Sequence, residues 1–142
     1  MRKISKLIIH CSATPQGRDI GAAEIRQMHV QINGWSDIGY HYVIRLDGSI
    51  EKGRADDVTG AHCMGQNTGS LGICYVGGLK KDGKTPCDTR TRQQKKALLS
   101  LLQCLHERYP SATVHGHNEF SNKACPSFIV NSDDDITAIF KK

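Results

Sequence analysis

The strongest constraint on the fold is a short apolar segment near the start of the chain. Ile4 to Cys11 carries consecutive apolar residues and is followed by the turn-forming residues Ser12 and Pro15. A strand that is apolar on both sides has to be buried on both faces, as strands are in parallel or mixed sheets covered by helices. The segment therefore predicts an α/β protein.

Two later segments have the periodicity of helices. Between Ala22 and Asn33, apolar residues recur at helical spacing, at Ile25, Met28 and Ile32. A second helix is predicted after Thr91, which forms a capping box with Gln94. Its leucines and alanine share one face, at Ala97, Leu98, Leu101, Leu102 and Leu105. The sequence thus supplies helices that can cover a sheet.

The remaining segments predict further strands and one long loop. Alternating residues from Gly39 to Arg45 lead through Asp47-Gly48 into Ser49 to Lys52, which is typical of a β-hairpin. Further elements are predicted as strands at Leu71 to Val76 and Ala112 to His115, and as a terminal helix capped by Ser132 and Asp135. The glycine-rich stretch from Gly53 to Gly72 has little periodicity, and a loop of this length inside a domain is commonly functional.

Size and charge limit the possible partners. With 142 residues and 15.7 kDa, residues 1–142 are expected to form one domain. The net charge of +5 favours anionic surfaces, yet the basic residues are spread along the chain without interleaved aromatics, so no nucleic-acid partner is expected. No apolar run approaches the 20 or so residues of a spanning helix, which excludes stable membrane insertion. We expect a monomer.

The cysteines and the N-terminus indicate a reducing compartment. Lys6 and His10 interrupt the apolar stretch, and no small-residue cleavage pattern follows, so no export signal is predicted. Six cysteines without a signal peptide are expected to be mostly reduced thiols. The protein is therefore expected in the cytoplasm.

Metal-binding side chains stand at the ends of predicted strands, where α/β folds place their sites. These residues are His10, His115, His117 and Cys125. A catalytic zinc takes three protein ligands and leaves one position open. Two neutral imidazoles and one thiolate would leave a net charge of +1, which suits metal-assisted hydrolysis. Residue spacing alone leaves open whether His115 or His117 takes part, or whether these residues have only structural roles.

Several segments together resemble a known family. They occur in the same order as in the zinc-dependent N-acetylmuramoyl-L-alanine amidases, namely Leu7 to Thr14, Glu24 to His29, Gly39 to Tyr42, Gly60 to His62 and Lys123 to Ser127. The sequence is most similar to the small amidase-type lysozymes of bacteriophages, which are related to the animal peptidoglycan recognition proteins. The resemblance implies a single α/β domain with a central mixed β-sheet flanked by helices.

The resemblance also implies roles for individual residues. It assigns Zn²⁺ to His10, to His117, which lies eight residues before the motif cysteine, and to that cysteine, Cys125. Tyr40 is implied as the residue that orients the attacking water or accepts its proton, and Lys123 as the one that stabilises the oxyanion.

Two further histidines receive different expectations. His62 resembles a family residue beside the site, so a contact with substrate is expected. His41 alternates to the strand face opposite Tyr40, so we expect it in the core or behind the site.

The implied activity is hydrolysis of the amide that joins N-acetylmuramic acid to L-alanine in peptidoglycan. The implied setting is a phage or prophage endolysin that is made in the cytoplasm and then released to the cell wall. One alternative is a non-catalytic peptidoglycan-binding or regulatory module of the same fold, although modules of that kind typically lack the ligand equivalent to Cys125. Another is a structural zinc site, which would need a fourth ligand such as His115 or Cys11.

Overall fold

The apolar segment near the N-terminus forms an inner strand of a five-stranded sheet. The computed structural model describes residues 2–141. The strands are β1 (Lys6–Cys11), β2 (Thr14–Pro15), β3 (Tyr42–Ile44), β4 (Ile50–Lys52), β5 (Ser70–Tyr75), β6 (Gly78–Leu79) and β7 (Thr113–Gly116). The order in the main sheet is β4-β3-β5-β1-β7, while β2 and β6 form a small sheet of their own.

The main sheet is mixed, as predicted. β1 runs parallel to β5 and to β7, and β3 runs parallel to β5, whereas β4 is antiparallel to β3. In this register His10 is paired with Cys74, and Ile9 is paired with Gly116. The C-terminal ends of β1 and β7 therefore lie side by side, which brings the residues that follow them together.

The helix predicted after Thr91 is α2 (Arg92–Arg108), and it covers one face of the sheet. The Thr91 side chain accepts a hydrogen bond from the Gln94 amide, and the Gln94 side chain accepts one from the Thr91 amide. Gln94 is buried and also donates to the carbonyl oxygens of Ile44 and Val76, so the first turn of α2 is tied to the sheet. The capping box is thus confirmed.

The first helix covers less of the sheet than its sequence pattern predicts. It runs as α1 (Ala22–Gln31), and Ile25 is its buried apolar anchor. Met28 is 37% exposed and Ile32 is 78% exposed. The predicted apolar face is therefore wrong beyond Ile25, because Met28 and Ile32 face solvent rather than the sheet.

The terminal helix begins later than predicted. It is α3 (Asp134–Phe140), and its N-cap is Asp133, whose carboxylate accepts a hydrogen bond from the Ile136 amide. Ser132 instead ends a short 3₁₀ turn, Val130–Ser132, so it is too early in the chain to cap α3. The short strand predicted at Ala112 to His115 is shifted by one residue.

The hairpin and the long loop are confirmed. β3 and β4 are joined through Asp47-Gly48, and Gly48 adopts the left-handed backbone conformation that this turn requires (φ +88°). Residues 53–69 form no strand or helix. The six cysteines are free thiols. Within residues 2–141, no helix combines the length and the apolar character needed to cross a membrane.

Candidate metal centre and active site

Three ligand-type side chains converge where β1 and β7 end. His10 is the fifth residue of β1. His117 begins a short 3₁₀ turn, His117–Glu119, directly after β7, and Cys125 lies in the irregular segment that follows. One ligand atom from each of the three side chains lies within 4.8 Å of the other two. The structure therefore brings together the trio that the family resemblance implies.

The arrangement of these atoms fits a zinc ion. The Cys125 Sγ lies 3.8 Å from the His10 Nδ1. Zinc bonds of about 2.0 Å to nitrogen and about 2.3 Å to sulfur, at a tetrahedral angle, would separate two such atoms by about 3.6 Å. The His117 Nδ1 is buried and has no hydrogen-bond partner among residues 2–141. A buried ring nitrogen without a partner, next to an imidazole and a thiol, is typical of a metal ligand in the metal-free protein.

His115 takes no part in this cluster. Its Nδ1 lies 2.9 Å from the Glu119 carboxylate, and its Nε2 lies 2.6 Å from the Thr113 hydroxyl. Because β7 ends at Gly116, the backbone turns between the two histidines, and only His117 faces His10. This turn therefore favours His117 over His115 as the candidate ligand.

Burial favours the neutral form of the two candidate imidazole ligands. His10 is 1% exposed, and its pKa is lowered well below the usual value by burial, then by the nearby charges of His62, His117 and Lys123. The pKa of His117 is lowered by burial and by Lys123. Neutral imidazoles are the forms that bind metals.

The thiol of the third candidate ligand, Cys125, is held in its protonated form when no ion is bound. The Cys11 side chain beside it, followed by burial, raises the pKa of Cys125. The backbone N–H of Cys11 points at the Cys125 Sγ from 3.2 Å and favours the thiolate. Metal binding must displace the thiol proton, so the affinity for the ion will rise with pH.

Tyr40 lies beside the trio, just before β3. Its ring centroid is 5.1 Å from that of His10, and burial raises the pKa of the phenol well above its usual value. Gly53 permits this position, because a Cβ there would collide with the Tyr40 carbonyl oxygen. The hydroxyl therefore remains protonated at neutral pH and can donate a hydrogen bond.

His62 and His41 lie behind the trio. His62 is 8% exposed; its Nδ1 is 2.9 Å from the His10 Nε2, and its Nε2 is 3.1 Å from the Ser70 hydroxyl. The contact with substrate expected of His62 stays a prediction, since both of its ring nitrogens already have partners in the protein. His41 is fully buried and accepts a hydrogen bond from the Gly72 amide, in line with the core position expected for it.

A groove opens beside His117. Its volume is about 560 Å³, and its lining includes Trp35, His62, Asn67, His117, Phe120 and Lys123. The Lys123 side chain is exposed at the edge of this groove. A positive charge at the rim and aromatic rings on the walls suit a polar ligand with apolar parts.

Sequence reasoning missed two residues around the site. The His29 Nδ1 accepts a hydrogen bond from the Gly39 amide, and its ring packs against Trp35 and Tyr40. Its place at the end of the Glu24 to His29 segment was the one available signal. Phe120 had no signal in the sequence, because its place in the groove depends on the turn after β7.

Comparisons with known proteins identify the family of this chain. Residues 1–128 match the family described as N-acetylmuramoyl-L-alanine amidase. The chain is 44% identical over 127 residues to the endolysin of Enterobacteria phage K11. The aligned region covers 89% of this chain and 83% of the phage protein.

Solved structures show the same fold. The N-acetylmuramoyl-L-alanine amidase LysC from Clostridium intestinale URNW superposes with a TM-score of 0.82 at 25% identity, covering 99% of this chain and 88% of that one. Drosophila PGRP-LB superposes with a TM-score of 0.75 at 27% identity, covering 89% of this chain and 76% of that one. The family match spans most of the sequence and includes all three candidate ligands, and the chain belongs to the N-acetylmuramoyl-L-alanine amidase family.

Proposed function

We propose that this amidase cleaves the bond between the lactyl group of N-acetylmuramic acid and L-alanine, with Zn²⁺ held by His10, His117 and Cys125. The observation that supports the proposal most directly is the convergence of these three ligand atoms within 4.8 Å beside an open groove. Three ligands with one open position are typical of catalytic zinc, whereas a structural site takes four. The metal cluster found in residues 2–141 has three members, which disfavours a structural zinc.

The bound ion would supply a Lewis acid that activates water and polarises the carbonyl of the scissile amide. The protein's own contribution begins with the ligands. Burial keeps His10 neutral, and the contacts of its ring with His117 and Tyr40 hold its orientation. An ion site whose ligands are fixed before binding costs little reorganisation during the reaction.

We assign Tyr40 to orient the attacking water. Its phenol stays protonated because burial raises its pKa, and its ring lies against His10. Lys123 is assigned to stabilise the negative charge that develops on the amide oxygen. Its ammonium stands at the mouth of the groove, and its charge already lowers the pKa values of His10 and His117.

The proposed substrate is peptidoglycan, seated in the groove beside His117. Trp35 and Phe120 offer aromatic faces for the apolar sides of sugar rings, and Asn67 also lines the groove. Asn67 is rigid, because its Oδ1 accepts hydrogen bonds from the amides of His62 and Cys63. At Asn67 the groove wall is therefore held by contacts with the backbone.

The proposed setting is that of a phage or prophage endolysin, made in the cytoplasm and released to the wall when another protein opens the membrane. Its support is the similarity to the endolysin of phage K11. A monomeric state and the lack of a nucleic-acid partner stay predictions from the sequence.

The decisive experiment measures new amino groups and new reducing sugars released from purified peptidoglycan. Amino groups without reducing sugars, lost with a chelator and restored by Zn²⁺, are expected from an amidase. Cys125→Ser should lose this release, whereas Cys104→Ser, at an exposed cysteine on α2, should keep it. A folded, zinc-loaded protein that binds peptidoglycan but releases no amino groups would show the alternative, a binding module.

A further inference from the structure

His62 belongs to a chain of hydrogen bonds that runs from the candidate metal centre into the loop before β5. The chain links the His10 Nε2 to the His62 Nδ1 at 2.9 Å, the His62 Nε2 to the Ser70 Oγ at 3.1 Å, and the Ser70 Oγ to the Gln66 carbonyl oxygen at 2.6 Å. Every link is within normal hydrogen-bond length. The far end of the chain is a backbone carbonyl, which can only accept.

This fixed end determines the direction of every bond. Ser70 must give its single hydroxyl proton to the Gln66 carbonyl, so its oxygen accepts from the His62 Nε2–H. His62 is buried, and among the described residues no carboxylate lies within hydrogen-bond reach of its ring, so the ring is neutral. A neutral imidazole has one N–H, and the His62 Nδ1 is therefore a bare acceptor.

The bare Nδ1 of His62 in turn determines the tautomer of His10, the proposed metal ligand. Facing a bare nitrogen at 2.9 Å, the His10 Nε2 must carry the proton and donate it. Its other nitrogen, Nδ1, is then left with a free lone pair, and this is the atom that lies 3.8 Å from the Cys125 Sγ. The chain thus orients both the ring and the tautomer of His10 for metal binding.

The protein also makes room for this arrangement. A Cβ at Gly72 would lie 2.6 Å from the His62 Cγ, so glycine in β5 lets the imidazole rest on the sheet. Asn67 fixes the backbone of the same loop by accepting from the amides of His62 and Cys63, both at 2.9 Å. The His62 ring rests on Gly72 of the sheet and is hydrogen-bonded on both sides, to His10 and to Ser70. Such a ring is suited to supporting His10 rather than to moving with substrate.

We propose that His62 is a positioning residue that holds His10 in the Nε2–H tautomer, with Ser70 and the Gln66 carbonyl setting the direction of the bonds. This inference rests on the proposed metal site. Outer hydrogen-bond partners of metal-bound histidines typically contribute about 10- to 100-fold in metal affinity. His62→Leu should therefore weaken zinc binding by about 10- to 100-fold at fixed pH, and Ser70→Ala by less.

The first test needs no metal and no substrate. Long-range ¹H–¹⁵N correlation spectra of the metal-free protein, labelled with ¹⁵N-histidine, report which nitrogen of each ring carries hydrogen. The expected result at neutral pH is a protonated Nε2 and a bare Nδ1 on both His10 and His62. A protonated Nδ1 on His10 would overturn the proposal, whatever the enzyme does with peptidoglycan.

The second test uses zinc competition against a chromogenic chelator. His62→Gln is the conservative control, because its side-chain carbonyl can accept from His10 while its amide donates to Ser70. Zinc affinity should fall in His62→Leu and return most of the way in His62→Gln. If a folded His62→Leu protein bound zinc as tightly as the original chain and lost only activity, His62 would instead contact substrate. Expected tautomers and tight zinc binding without cleavage would support the role of His62 and overturn the proposed function.

Discussion

The two faces of the main sheet are covered by different kinds of side chain. On the face packed against α2, β1 presents Leu7, Ile9 and Cys11 to a large apolar cluster. On the opposite face the same strand presents Ile8 and then His10. The apolar cluster near α1 on that side has six buried members, at Ile20, Ile25, Ile38, Val43, Cys74 and Val76.

On the α1 side, the six-residue apolar cluster covers only part of the sheet, and histidines cover the rest. His10, His41 and His62 are all buried there and are hydrogen-bonded to one another or to backbone. Buried imidazoles contribute less apolar burial than leucines, and each needs a partner for its ring nitrogens. The difference indicates that the α2 face supplies most of the stability, whereas the α1 face is organised for chemistry.

The sharpest test of this division removes a ligand from the chemical face. His117→Ala should reduce amide hydrolysis by about 1,000-fold or more, because loss of a ligand removes the several kcal/mol that a bound ion gives to the transition state. Its Nδ1 has no hydrogen-bond partner in the part of the chain that the structure describes, so the free energy of unfolding of the metal-free variant should lie within about 1 kcal/mol of that of the original chain. Amino-group release and urea unfolding of the metal-free protein measure the two effects.

The matched control for this variant is His115→Ala, two residues earlier, where the side chain pairs with Glu119 outside the site. It should keep hydrolysis within a few-fold of the original rate. Equal loss of activity in both variants would mean that the segment, and not the ligand, matters.

The next prediction concerns the apolar face. Leu102 is fully buried against the sheet in the middle of α2. Leu102→Ala should lower the free energy of unfolding by about 3 kcal/mol, within the 2–5 kcal/mol typical of such truncations. The rate of hydrolysis per folded molecule should change less than twofold, as measured at a temperature where the variant is fully folded. A large drop in that rate would show that the two faces are coupled.

The sequence predicts the apolar face better than the chemical one. The central strand and α2 follow from local patterns, since burial on both faces and a leucine stripe are visible in consecutive residues. For the site, spacing alone could not separate His115 from His117, because the two have the same strand parity and the chain turns only at Gly116. The family resemblance supplied that choice. The bonds from His62 to Ser70 depend on the path of the loop, which no local pattern records.

The pH dependence of stability offers a third comparison. Burial lowers the pKa of His41 to about 4, while the hydrogen bond to the Val58 carbonyl opposes the shift and the charge of Arg2 adds to it. An unfolded histidine titrates near 6.5, so between these values the unfolded chain binds more protons and stability falls as the pH falls. Between pH 7 and pH 5 this group alone should cost about 2 kcal/mol.

Replacing the group isolates its share of the pH effect. His41→Gln keeps an acceptor for the Gly72 amide and a donor for Val58 but cannot titrate. Urea unfolding at pH 7 and pH 5 should show a drop about 2 kcal/mol smaller in this variant than in the original chain. Equal drops in the two proteins would mean that His41 is not the titrating group and that carboxylates or other histidines dominate.

The smallest effect is expected at the N-terminal caps of the two main helices, which are built differently. α1 begins after Gly21, which has no side chain to cap it, and the Ala22 amide instead donates to the Glu51 carboxylate on β4. α2 begins after Thr91, whose hydroxyl accepts from the Gln94 amide and donates to the Leu46 carbonyl. Thr91→Ala should cost about 1 kcal/mol and lower the melting temperature by roughly 3 °C, while Thr91→Ser, which keeps the hydroxyl, should cost much less. Activity at 25 °C should be unchanged in both, because α2 reaches the site only through the sheet. A loss of hydrolysis in Thr91→Ala beyond its loss of folded protein would show that packing on the α2 face affects the position of His10. Stability and activity would then not be separated between the two faces of the sheet.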